Sequence, residues 1–214
     1  RRDKNFSNSF EIMKNNRLIV AQRLISQKSL NNINLDSDGF PIGFSKNSQE
    51  VLINSFLSAY LGKNPNDINL NPISKSPKLN WSLQYDGLSK LFENFISRLS
   101  IGHGYRSSFT INNFRSNLNY SPNSFDNSGN YVSEKLYSNI NLVEQFNPLI
   151  EVDIEFKNSL RLIFDVIKDR AVSLSLANNF ITESWGNEYV IGLGYRARNV
   201  RINSSLAPNS NSFA

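Results

Sequence analysis

The sequence predicts an all-β fold, an antiparallel meander with one or two short helices. Three observations carry this reading. From residue 79 onward, apolar and polar residues alternate with a period of two, as in a strand whose successive side chains point to opposite faces. The breaks between the alternating runs are short, and short connections join antiparallel neighbours rather than parallel ones. Asn and Ser together make up roughly 30 % of the chain, far above ordinary usage, and both favour turns over helix interiors.

The alternation is plainest from Asn187 to Arg196. Tyr189, Ile191, Leu193 and Tyr195 fall on one face, and Val190, Gly192, Gly194 and Arg196 on the other. The first face is apolar with a tyrosine at each end. The second is small and ends in a charge.

Taken in order, residues 1–47 are mixed. Leu18 to Ile25 fits one or two turns of helix or a short strand, and Asn31 to Ser45 reads as loop. Within that loop, Asp36-Ser37-Asp38-Gly39 superficially resembles a calcium loop. Phe40, Pro41 and Ile42 stand where oxygen ligands should follow, so a plain turn is expected. Residues 48–61 form the best helix. Ser48 is placed to cap it, and Glu50 lies in its first turn. Val51, Leu52, Ser55, Phe56, Ala59 and Tyr60 recur at helical spacing, and Gly62 stops it. This helix suits an amphipathic plug, a surface helix or ordinary packing against its neighbours. Pro65, Pro72 and Pro77 make the next segment a loop or extended crossing. Strands are then expected near 79–85, 98–111, 132–146, 149–157, 159–167, 171–182 and 188–197. A short helix near Leu88 to Ile96 and a polar loop from Ser121 to Asn130 interrupt them. Asn147-Pro148, Lys157-Asn158 and Lys168-Asp169-Arg170 are read as turns. The division is a mixed segment over 1–78, a sheet over 79–198 and a polar tail over 199–214.

Composition excludes several classes. The chain has no cysteine, so neither disulfides nor thiolate metal sites are available. One histidine excludes a multi-histidine metal centre. The net charge of +5 is spread along the chain, which marks a solvated surface rather than a nucleic-acid face. No apolar run approaches the ~18 residues of a spanning helix, although a barrel of alternating strands would show none. Neither end resembles a natural terminus, so the chain is expected to be an internal stretch of something longer.

The alternation leaves two architectures open. In a soluble sandwich, the apolar faces would meet a second sheet. In a membrane barrel they would meet lipid, with Trp81, Tyr85, Tyr105, Phe156, Tyr189 and Tyr195 near the interfaces. No catalytic constellation stands out. His103 shares a parity with Ile101 and Tyr105 and reads as structural. No nucleophile elbow accompanies the serines. Glu151, Asp153 and Glu155 read as a solvated strand face rather than the paired acids of a glycosidase. Gly102-His103-Gly104 and Gly192-Leu193-Gly194 open no helix, so they are not dinucleotide loops. The glycines instead suit sheet bending or close approach of a neighbouring chain. Neither enzymatic activity nor a cofactor is expected.

An ordered set of motifs over most of residues 10–198 resembles a known family. The set runs from Ser48-Gln49-Glu50-Val51-Leu52-Ile53 and Phe56 to Lys63, through Leu79-Asn80-Trp81 and Tyr85 to Leu91, to His103-Gly104-Tyr105-Arg106-Ser107. It continues with Glu144 to Ile150, Leu174 to Asn179 and Asn187 to Arg196. It is similar to the SprA/Sov proteins, the outer-membrane translocons of the type 9 secretion system of Bacteroidetes, linked to gliding motility. The resemblance implies a segment near the C-terminus of a very large single-chain transmembrane β-barrel. Such a barrel exports folded cargo proteins, opens sideways in the membrane, and pairs with a PorV-type barrel or a periplasmic plug protein. Val200 to Ala214 departs from it, being rich in Asn and Ser with no closing strand. The chain is therefore expected to supply only part of a wall.

In such a wall, the cost of placing charge in lipid assigns the faces. Glu151, Asp153, Glu155, Arg161, Asp165, Ser173, Ser175, Gly192, Gly194 and Arg196 are expected to face the lumen. Leu162, Phe164, Leu174, Leu176, Ile191 and Leu193 are expected to face lipid. The rival expectation is a soluble all-β adhesion or carbohydrate-binding module.

Overall fold

The computed structural model describes residues 7–28, 32–71 and 80–197. The expected tail over 199–214 lies outside the described residues, as do residues 72–78 of the proline-bearing crossing. Two helices come first, α1 over Asn8–Ser26 and α2 over Gln49–Tyr60. Seven strands follow: β1 Trp81–Tyr85, β2 Ile96–Asn112, β3 Arg115–Ser116, β4 Lys135–Leu136, β5 Asn139–Phe156, β6 Leu160–Ser175 and β7 Phe180–Tyr195. The long strands form one sheet in the order β1-β2-β5-β6-β7, and β3 pairs with β4. The β1–β2 register is antiparallel, with Trp81 opposite Tyr105 and Tyr85 opposite Ile101. Among the described residues, β1 and β7 are the open edges of the sheet.

The expected meander is present, but five strands, four of them long, form it where seven were expected. Asn147-Pro148 lies inside β5, its peptide bond cis, and Lys168-Asp169-Arg170 lies inside β6. Parity explains both corrections. Phe146, Pro148 and Ile150 keep one parity, as do Val166, Lys168, Arg170 and Val172. A turn would have broken the alternation, and here it is unbroken. Two true hairpins remain. Ser159, at φ 64, and Asn179, at φ 56, take the left-handed conformation between β5 and β6 and between β6 and β7. The short helix after β1 is a 3₁₀ helix over Gly87–Phe92.

The contacts divide into two units. Unit 1 holds the helices with Ser108–Val143 and Ala171–Ser184, and unit 2 holds Leu79–Ser107, Glu144–Arg170 and the chain from Trp185. Strands β2, β5, β6 and β7 each contribute one stretch to each unit.

Unit 1 has an ordinary packed core. Helix α1 is longer than its apolar run suggests. Ser7 caps it by accepting from the Phe10 N–H, Glu11 sits in its first turn and Arg23 in its last. Helix α2 begins after Ser48 as expected, and Gly62 follows it at φ 63. It is buried almost all round, as a core helix is. One side packs Leu52, Ile53 and Phe56 on Ile140, Leu142, Val172 and Leu174 of the sheet. Val51 joins a second cluster with Val20, Leu24, Phe40 and Phe44. Asn16 of α1 donates to Ser58 Oγ of α2 at 2.7 Å, which satisfies a polar group buried between the helices. The Asp36 loop is a plain turn. Asp36 Oδ1 accepts from the N–H groups of Asp38 and Phe40, and Gly39 supplies φ 81.

Candidate functional site

The feature that sets unit 2 apart is a sheet whose two faces differ in kind. One face carries Trp81, Leu83 and Tyr85 from β1, and Ile101, His103 and Tyr105 from β2. Phe146, Ile150, Val152, Ile154 and Phe156 continue it on β5, and Leu160, Leu162, Phe164 and Val166 on β6. Tyr189, Ile191, Leu193 and Tyr195 complete it on β7. Much of this face is bare. Ile191 is 70 % exposed, Leu193 76 % and Trp185 66 %, and Leu83, Tyr85, Tyr189 and Tyr195 are also exposed. Monomeric soluble proteins seldom leave so broad an apolar surface uncovered.

The charges on this face gather along one border. Trp81 stacks on Tyr105 at 4.5 Å between ring centroids. The Tyr105 hydroxyl donates to Glu144 Oε1 at 3.1 Å. Arg170 pairs with Glu144 at 3.5 Å, and its guanidinium lies 4.7 Å from the Trp185 ring centre. These contacts draw a continuous row across all five strands. Lys168 stands one pleat inside it on the same face. From there to Tyr195 the described face carries no Asp, Glu, Lys or Arg. Ten residues of β7 separate Trp185 from Tyr195. At ~3.3 Å per residue they span about 33 Å, and a strand tilt of ~40° projects this to about 25 Å.

The opposite face is polar and close-fitting. It bears Glu151, Asp153 and Glu155 on β5, Arg161 and Asp165 on β6, Gly192 and Gly194 on β7, and Arg196 just beyond. Arg161 grips Asp153 with two bonds, Nε to Oδ1 at 2.8 Å and Nη2 to Oδ2 at 2.7 Å. The Asp165 Oδ1 is buried with no hydrogen-bond partner among the described residues. A Cβ on Gly104 would stand 2.9 Å from the Asn147 carbonyl oxygen, so only glycine lets β2 lie this close to β5. A Cβ on Gly192 would meet Ile163 at an ordinary 3.4 Å, so that position tolerates a side chain.

The structure divides the residues expected on the two faces. Leu162, Phe164, Ile191 and Leu193 lie on the apolar face of unit 2. Leu174 and Leu176 share their parity but belong to unit 1, where Leu174 is 1 % exposed and Leu176 packs against the α2 core. They are covered by the chain's own helix and are withdrawn from the lipid-facing set. Parity alone could not show this, because a helix and a bilayer select the same side chains. Ser173 and Ser175 likewise fall in unit 1, on the face opposite Leu174.

Lys168-Asp169-Arg170 has the residue types of a turn, and these hide the border row in the sequence. The signal was there: Lys168 and Arg170 hold the parity of Val166 and Val172, and Asp169 holds the other.

His103 is structurally satisfied. Its Nδ1 lies 2.7 Å from the Leu149 carbonyl oxygen, and its ring sits between Trp81 and Phe146. Among the described residues no group of His, Asp and Glu is arranged to hold a metal ion, and no helix is long and apolar enough to cross a membrane. Unit 1 contains a cavity of about 600 Å³ beside the start of α2. Several of its wall groups bond one another. Gln49 donates to the Lys135 carbonyl and accepts from the Tyr137 N–H, while Ser133 donates to Glu50. Burial raises the Glu50 carboxyl above its ordinary pKa, against the opposing effect of the Ser133 hydroxyl. No protein-family model matches the chain, and no curated protein matches it significantly.

Proposed function

We propose that this chain forms part of the wall of an outer-membrane protein-conducting channel, a non-enzymatic conduit for folded cargo in type 9 secretion and gliding motility. One observation carries the membrane part of this reading. The sheet of unit 2 exposes an apolar face of bilayer height whose charges gather at one border, with Trp185, Tyr105 and Trp81 on that side and Tyr195 and Phe156 on the other. A soluble sandwich would cover such a face with a second sheet, and none packs on it among the described residues. The open edges at β1 and β7 suit a wall continued by further strands, since an unpaired edge is excluded from lipid. The resemblance of the ordered motifs to the SprA/Sov proteins supplies the rest: an outer-membrane location, secreted cargo, and a PorV-type barrel or periplasmic plug as partner.

The test is fractionation joined to export. The protein should remain with outer membranes after high-salt and alkaline washing and be released by detergent. Deleting its coding sequence should strand type 9 cargo in the periplasm. Recovery in the washed supernatant would remove the membrane reading. Undiminished cargo export in the deletion strain would remove the transport reading and leave a barrel of another purpose.

A further inference from the structure

We propose that the hollow ringed by Arg98, Arg161 and Arg196 on the polar face of unit 2 is a docking site for an acidic peptide segment of a protein entering the lumen. The inference rests on the channel reading above and adds where the wall touches that protein, and through which chemistry.

Four observations place it. First, the ends of four strands converge on it. Arg98 of β2, Glu155 of β5, Arg161 of β6 and Arg196, just beyond β7, line a cavity of about 300 Å³ together with Ser159 and Gly194. The Arg196 N–H donates to the Ser159 carbonyl at 3.0 Å, which fixes this corner of the sheet. Second, the guanidinium groups are not used up. Asp153 takes Nε and Nη2 of Arg161 and leaves Nη1. The ion pairs among the described residues include neither Arg98 nor Arg196. Third, cations stay in excess when every neighbouring charge is counted. Arg98, Lys157, Arg161 and Arg196 stand against Glu151, Asp153 and Glu155 at this end of the face. Asp165, the next carboxylate along β6, lies ~13 Å from Arg161 at a strand's rise per residue, beyond the screening length of ordinary salt. Fourth, Gly194 keeps the hollow open. A Cβ there would stand an ordinary 3.7 Å from the Arg161 Cβ, so the strand accepts a side chain and its absence leaves room for a ligand. Guanidinium groups grip carboxylates through paired N–H donors. Arg98 and Arg196 reach the hollow from opposite sides, with β5 and β6 between them. That spread suits two acidic side chains of one segment better than a single small anion.

The experiment uses the full-length protein purified in a neutral detergent. A fluorescent hexaglutamate peptide is titrated in and followed by anisotropy, with hexaglutamine and inorganic phosphate as comparison ligands. Wild type should bind hexaglutamate in preference to hexaglutamine, and less tightly as salt rises. Arg98→Gln and Arg196→Gln should each weaken hexaglutamate about threefold, the effect of one exposed ion pair. Gly194→Leu should weaken it by filling the hollow while leaving every charge in place. Arg106→Gln, on the same face but far along β2, should leave it unchanged. Equal affinity for the two peptides overturns the proposal, as does undiminished binding when Arg98→Gln and Arg196→Gln are combined. Full displacement of hexaglutamate by equimolar phosphate overturns it in favour of a small-anion site. If any of these results is obtained with a protein that still requires detergent for extraction, the docking site alone fails. A protein that needs no detergent removes the membrane reading as well.

Discussion

Ile191 and Ser175 lie on opposite faces of the long sheet, and an arginine at each should have opposite consequences. Ile191 is 70 % exposed, about midway between Trp185 and Tyr195. In a bilayer, Ile191→Arg would place a charge near the midplane, where it costs ~2–4 kcal/mol. Ser175 has the other parity, away from the Leu174 core. Ser175→Arg should be tolerated and affect passage at most. Surface assembly of the two variants in the intact protein is the measurement. Assembly lost in Ser175→Arg and kept in Ile191→Arg would invert the faces. A second residue-scale prediction concerns Gly104. Its missing Cβ leaves 2.9 Å to the Asn147 carbonyl oxygen, a backbone atom that cannot swing aside. Gly104→Ala should force β2 and β5 apart and lower the heat stability of the assembled protein. Gly192→Ala, with Ile163 at 3.4 Å, should be near neutral. The two melting midpoints, compared in one detergent, decide it.

Helix α2 is the element that most clearly behaves as core. Phe56 is fully buried, and it packs in one cluster with Leu174 of β6. Leu174→Ala should therefore destabilise by ~2–5 kcal/mol. Leu193→Ala, on the bare face, should shift the melt in detergent far less. The start of α2 adds a pH dependence. Burial holds the Glu50 carboxyl above its ordinary range, so the folded chain favours its protonated form. The sign follows from linkage. The stabilisation is complete below the carboxyl's unfolded pKa and is lost as pH rises through the raised folded value. Glu50→Gln should melt above wild type at pH 8 and equal it at pH 4, followed by the helical far-ultraviolet signal. A wild-type advantage at pH 8 would show that the ionised carboxylate stabilises this site. The same helix shows what the sequence made legible. Its start after Ser48, its helical spacing and its stop at Gly62 are local signals and fall where read, but the Ser48 side chain makes no capping bond and the burial extends almost all round the helix. The strands were legible in parity but not in length. Pro148 and the Lys168-Asp169-Arg170 run carry the residue types of turns, and only the pairing partners across the sheet show that the ladder passes through them. The covering of Leu174 was not legible at all, because it depends on contacts between residues more than 100 positions apart.

At the scale of the whole molecule the two units make different demands on solvent. Unit 1 buries its apolar residues under its own helices, with Val20, Ile53, Phe56 and Ile140 at 1 % exposure or less. Unit 2 leaves Leu83, Ile191, Leu193 and four or more aromatic rings in the open on one face. Beside that face β7 presents a 16-residue edge with no partner among the described residues. Each of these two features is by itself an association hazard in water. The apolar face exceeds what soluble monomers carry, and a long unpaired edge is a template for another strand. The 214-residue chain expressed alone should therefore be insoluble in plain buffer. A micelle-forming detergent should recover it by covering the face, and the recovered protein should still self-associate through its edges. Ile191→Ser with Leu193→Ser should raise the recovered fraction in buffer without disturbing α2, because neither side chain belongs to the unit 1 core. Sedimentation in buffer and in detergent reads both effects. A monomer that is soluble without detergent and unfolds in one cooperative step would show that the bare face is covered from within the chain. The membrane reading would then give way to the soluble adhesion or carbohydrate-binding module.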